Sequence, residues 1–132
     1  KEGMRLLCLS ANQGNPRAQT SLAICYLNGV DVEQDEEEGM RLLRLSVDQG
    51  SADAQYSLGL SYYTGAGVEK DTDEAVRLFG LSADQNYALA QNYLAVCYFY
   101  GICVEKNEEK AHKLYRLGAE QGCTKNEHIF HC

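Results

Sequence analysis

Cysteine and histidine have the widest chemical reach of the side chains in this sequence, which holds six of the first and three of the second among 132 residues. Cys123, His128, His131 and Cys132 are the residue types that hold zinc. Their spacing matches no standard zinc site, however, and they can equally belong to one terminal helix. His112 follows Ala111 in a position that, read every 36 residues, is otherwise filled by Met4, Met40 and Val76. That is a partly exposed helix position and not the setting of a catalytic base. The glycines close apolar stretches and do not open a helix after a strand, so they form no phosphate loop. The acidic segment 31–38 lacks the alternating oxygen ligands and central glycine of a calcium loop. No catalytic residue, metal or cofactor is expected.

The bulk composition narrows the partner. A formal charge of −7 argues against a nucleic-acid ligand, which would need a basic face. The one acidic cluster, Asp31, Glu33 and residues 35–38, falls in a loop and at the start of a helix, where carboxylates complement the helix dipole. No apolar run approaches the roughly 18–20 residues that cross a bilayer, so membrane insertion is not expected. No signal peptide is visible, and the sequence opens without Met and inside a repeat, so it reads as a piece of a longer protein. With no Asn-x-Ser/Thr acceptor and no regular cysteine spacing, a cytoplasmic setting is favoured; a secreted or periplasmic one stays open.

The elements that must position any site are set by an internal period. Gly29, Gly65 and Gly101 stand 36 residues apart. So do Ala18, Ala54 and Ala90; Leu22, Leu58 and Leu94; Tyr26, Tyr62 and Tyr98; and Val32, Val68 and Val104. A period of this length predicts an all-α solenoid of helix pairs, in which each unit buries its apolar face by stacking on its neighbours. In the middle unit, Ala54, Leu58 and Tyr62 predict a first helix over 52–64, closed by Gly65. Asp71 with Glu74 forms a capping box for a second helix over 72–85, whose inner face is Ala75, Leu78, Phe79, Ser82 and Ala83. Gly39, Ala75 and Ala111, with Ala23, Gly59 and Ala95, are small enough to let helix axes approach.

One domain, 1–132, is expected: a half repeat over 1–14, full repeats over 15–50, 51–86 and 87–122, and a degenerate half repeat over 123–132. Gly50 and Gly122 should end their second helices, with Asn86 substituting in the middle unit. Cys25 and Cys97 share a column two units apart, beyond the ~4.4–6.8 Å Cα separation of a disulfide. Cys8 and Cys25 could face each other across one helix pair, and that bridge stays open beside reduced thiols.

The string Ala54-Gln55-x-x-Leu58-Gly59-x-x-Tyr62-x-x-Gly65-x-Gly67-Val68-x-x-Asp71-x-x-Glu74-Ala75 resembles the Sel-one-like repeat, a relative of the tetratricopeptide repeat with a longer inter-helix loop. The resemblance runs over nearly the whole chain. It implies a right-handed α/α superhelix whose first helices line a concave wall, and a scaffold or adaptor that binds a protein or peptide partner. A cysteine-rich branch of that family staples each helix pair with cysteines eight residues apart. Here Cys97 and Cys103 are six apart and the middle unit has none. Asp31 and Cys103 also replace the loop glycine seen at Gly67, so those loops are expected to turn differently.

Carried over by the resemblance, the wall comprises Arg17, Asp53 and Leu89; then Thr20, Tyr56 and Asn92; Ile24, Leu60 and Val96; Leu27, Tyr63 and Phe99; and at the helix ends Asn28, Thr64 and Tyr100. Apolar and aromatic anchors of this kind dominate protein interfaces. The Ile24 and Leu27 columns serve equally well to pack adjacent first helices. Tyr56, Asn92 and Tyr100 are positions that the repeat itself does not demand. Only Arg17, Asn28 and Asn92 could serve a carboxylate clamp, too few for that mode. Two other readings remain: a structural spacer within a longer repeat protein, and a hydrolase or thiol-dependent enzyme.

Overall fold

A computed structural model describes the backbone of residues 2–130 and the side chains of residues 3–120. Its helices are α1 (Glu2–Asn12), α2 (Pro16–Asn28), α3 (Glu36–Asp48), α4 (Ala52–Thr64), α5 (Thr72–Asp84), α6 (Ala88–Tyr100) and α7 (Glu108–Phe130). No strand occurs among the described residues.

The stops are those the period announces. Gly29, Gly65 and Gly101 adopt φ of 70°, 81° and 71°, and their N–H groups donate to the carbonyls of Cys25, Ser61 and Cys97. A left-handed residue there closes the helix at no Cβ cost. Asp35, Asp71 and Asn107 accept the N–H of Glu38, Glu74 and Lys110 at 3.1, 3.1 and 3.0 Å, satisfying one free donor of each second helix. The reciprocal half of the capping box is absent. The Asp71 N–H donates to the Tyr62 carbonyl at 2.9 Å, which leaves Glu74 free to accept both guanidinium bonds of Arg77 at 3.0 and 2.6 Å. Glu38 and Arg41 do the same one unit earlier. The Arg41 and Arg77 bonds hold both carboxyls below the usual range, partly opposed by burial.

Two loop expectations are corrected. Asp31 and Cys103 take φ of 64° and 58°, close to the 83° of Gly67, so the three loops turn alike and the side chains are accommodated in the left-handed region. The backbone is also helical straight through Gly122, where a stop was expected. Gly14, Gly50 and Asn86 end their helices at φ of 92°, 81° and 71°, and each is followed by a first helix whose buried alanine, Ala18, Ala54 or Ala90, makes the return.

Packing runs from each helix to its neighbours: α2 on α3, α4 on α5 and α6 on α7 within units, α1 on α2, α3 on α4 and α5 on α6 between them, with α2 also touching α4. The small columns hold the pairs tight. A Cβ on Gly39 would lie 2.8 Å from Leu27, and one on Gly59 2.9 Å from Phe79. Leu42, Leu43, Leu78 and Phe79 are sealed beneath, with 4% exposure or less.

Polar columns tie the pairs together as well. Ser46 and Ser82 on the second helices donate to the Pro16 and Ala52 carbonyls at 2.8 and 2.7 Å. The Gln49 and Gln85 amides donate to Gln19 and Gln55 at 2.7 and 2.9 Å, while Gln19 reaches back to the Ala11 carbonyl at 3.2 Å. The exposed Gln49 and Gln85 thus satisfy the buried Gln19 and Gln55 and help fix the stacking register. Their 36-residue recurrence was a signal in the sequence that points to structure and not to a site.

Candidate functional site: the wall of first helices

Helices α2, α4 and α6 present one polar and apolar mosaic. Arg17, Ile24, Asn28, Thr64, Leu89 and Tyr100 are exposed on it, Tyr100 at 67%. Leu27, Asp53, Tyr56, Leu60, Tyr63, Val96 and Phe99 are half-buried. Where α2 and α4 end, Leu27, Asn28, Leu60 and Thr64 border a groove of about 280 Å³. Phe99 meets Tyr100 edge to face at 5.0 Å and His112 at 6.3 Å, so an aromatic rim closes the far end of the wall.

Thr20 and Asn92 do not belong to the open surface, and their assignment to it is corrected. They are 2% and 5% exposed, buried between the helices of their own units. The Thr20 hydroxyl lies 2.7 Å from that of Ser46 and 2.9 Å from the Pro16 carbonyl. Asn92 presses on Gly118 in the same place of the last unit. Sequence spacing put both on the first-helix face; what decides their direction is the small residue opposite, Ser46 or Gly118.

Tyr56 is a packing residue too. Its ring lies 6.0, 5.4 and 5.8 Å from Phe79, Tyr87 and Tyr93, and burial, with those tyrosines beside it, pushes its phenol above the ordinary value. Tyr93, which the sequence reading passed over, stacks on Phe79 at 5.3 Å and still keeps an exposed edge. Its signal was an aromatic residue in a column otherwise held by Ser21 and Ser57. A second omission lies on the other layer. Leu9, Leu45, Leu81 and Leu117 recur every 36 residues and are all exposed, one on each second helix.

The thiols divide by environment. Cys8, Cys25, Cys97 and Cys103 are free, so Cys8 and Cys25 are not bridged. Burial pushes the Cys97 thiol up to about 11, whereas Cys103 is exposed and raised by its hydrogen bond to Asp73. The thiolate is the reactive form. Iodoacetamide at pH 8 should therefore alkylate Cys103 in the folded protein and reach Cys97 only after denaturation, as read by peptide mass spectrometry. Equal labelling of the two would contradict the packing of α6. Cys123, His128, His131 and Cys132 lie outside the residues whose side chains are described. Among the described residues no three His, Cys, Asp or Glu side chains gather as metal ligands, and no helix is long and apolar enough to cross a membrane.

Repeated hairpins stacked on their neighbours define an α/α solenoid of the helical-repeat class. The Sel1 repeat matches residues 16–51, 52–87 and 88–123, and the chain belongs to that family. Sel1 repeat proteins are generally protein-interaction scaffolds. The matched units begin one residue later than the boundaries read from the sequence. Among solved structures, the chain is similar to a protective antigen present in uropathogenic Escherichia coli strains that displays an SLR fold, with 34% identity over 89% of this chain and a TM-score of 0.83. It spans 25% of that antigen's length. A Sel1 repeat protein from Oxalobacter formigenes is also 34% identical, with a TM-score of 0.82 and 92% of both chains covered. No curated protein is significantly similar to the chain.

Proposed function

We propose that this protein is a scaffold that binds a protein or peptide partner along the wall of α2, α4 and α6. The observation that carries this is the exposure of apolar and aromatic side chains on the first helices, Ile24 on α2 and Leu89, Tyr93 and Tyr100 on α6, together with the groove at the ends of α2 and α4. Rigid aromatics with a polar rim are what interface hot spots are made of. Asn28, Thr64 and Arg17 supply hydrogen-bonding groups beside them.

The outer row of Leu9, Leu45, Leu81 and Leu117 favours a second reading, a partner lying across the second helices. Substitution separates the two. Leu89→Ala with Tyr100→Ala should weaken partner binding at least about tenfold while the helical circular dichroism stays unchanged. Leu45→Ala with Leu81→Ala should leave binding intact. The reverse pattern, or full affinity in both double variants, overturns the first-helix reading.

A further inference from the structure

We propose that the first turns of α7 form a docking surface for a short acidic segment of a partner protein. The repeat shows which charge is missing there. In the first two units a glutamate and an arginine one turn apart neutralise each other, Glu38 with Arg41 and Glu74 with Arg77, each at 2.6 Å. The third unit keeps the cation, as Lys113, but puts Lys110 where the glutamate stands. Like charges at neighbouring positions of a helix face repel. Residues 34–44 hold four acids and two bases, residues 70–80 three acids and two bases, and residues 106–116 two acids and four bases. Lys106 pairs with Glu108 at 3.5 Å, and Lys110 lies 4.6 Å over the Tyr98 ring. Lys113 and Arg116 have no ion pair among the described residues.

Lys110, Lys113 and Arg116 are exposed, and with His112 they border a depression of about 740 Å³. The columns of Lys113 and Arg116 stay open when a further unit is stacked behind them. Arg41 and Arg77, in the first column, keep 58% of their side chains exposed although α4 packs on α3 and α6 on α5. Arg44, in the second, is exposed as well. Continuation of the stack therefore leaves these cations uncovered, and what they select is charge. A carboxylate set beside Lys110 and Lys113 restores the neutralisation that Glu38 and Glu74 supply from within. A nucleic acid or an anionic membrane presents a longer run of negative charge, which the rest of a chain of net charge −7 repels. A short acidic segment meets the patch alone. His112 also meets Phe99 edge to face at 6.3 Å, so the patch borders the aromatic end of the wall. The wall acts by apolar burial and the patch by charge, and neither reading depends on the other.

A fluorescein-labelled hexaglutamate peptide is the probe, titrated with the protein in low-salt reducing buffer and read by anisotropy. Saturable binding that weakens as salt is added is expected. It should fall at least about fivefold for Lys110→Glu, which rebuilds the internal pair of the first two units, and for Lys113→Glu with Arg116→Glu, with helicity unchanged in both. Arg77→Glu changes the net charge as much as Lys110→Glu but removes a cation that is already paired, so it should bind the peptide like the parent. The Leu89→Ala, Tyr100→Ala protein should also bind it like the parent, which keeps this test apart from that of the wall. Absence of saturable binding to the parent overturns the proposal, and so does equal weakening by Arg77→Glu, which would leave only bulk charge. Tighter binding of a uridine dodecamer or of phosphatidylserine vesicles, lost in Lys110→Glu, would give the patch to a phosphate-bearing partner. A concentration-dependent dimer that Lys110→Glu dissolves would give it to a second copy; either result overturns the proposal.

Discussion

Replacing Phe79 with alanine should lower the unfolding free energy by about 3–5 kcal/mol. The side chain is fully buried, and its ring meets Tyr56, Tyr63 and Tyr93 at 6.0, 6.1 and 5.3 Å. Those partners come from α4 and α6, while Phe79 itself belongs to α5, so one ring joins two units. Gly59 has no Cβ because Phe79 takes that space, 2.9 Å from where the atom would be. Truncation leaves a cavity that Gly59 cannot fill. Urea titration followed by circular dichroism is the measurement, with Leu81→Ala as the exposed control, expected within about 0.5 kcal/mol of the parent. A loss below about 1 kcal/mol for Phe79→Ala would mean that the aromatic cluster does not join the units.

The paired change Asn92→Thr with Gly118→Ser should stabilise the protein by about 1–3 kcal/mol. The first two units place a serine hydroxyl on a first-turn carbonyl, Ser46 on Pro16 and Ser82 on Ala52. The third has Gly118 there, and the Asn92 side chain moves into the gap. It is 5% exposed, and neither its oxygen nor its nitrogen finds a partner. A buried polar group left unmet costs its desolvation. The double variant would copy the hydroxyl pair that Thr20 and Ser46 form in the first unit, and a serine is also a better helix residue than glycine. Gly118→Ser alone should destabilise, because its Cβ would clash with the Asn92 side-chain oxygen. The two changes should therefore be strongly non-additive in a double-mutant cycle. Additive effects would show that residues 92 and 118 do not share this space.

The fold was legible because its signals are local and recur. Gly65 stops a helix by its own backbone freedom, and Asp71 caps one with its own side chain; neither needs tertiary knowledge. The site was legible only in outline. Ile24, Leu89 and Tyr100 are exposed, yet Thr20 and Asn92 turn inward, since their direction depends on a residue 26 positions away at Ser46 or Gly118. Gly122 misled for a related reason. Glycine permits a stop but does not impose one, and the backbone stays helical through this one. Asp31 and Cys103 misled in the opposite sense: the loop geometry imposed by its flanking helices is kept without the glycine that would ease it.

The principal packing reaches no farther than from α2 to α4. A molecule wired only to its nearest kin has no keystone. Loosening can begin at either extremity and travel inward hairpin by hairpin, so a pull on the two ends would meet a staircase of small yields instead of a single rupture.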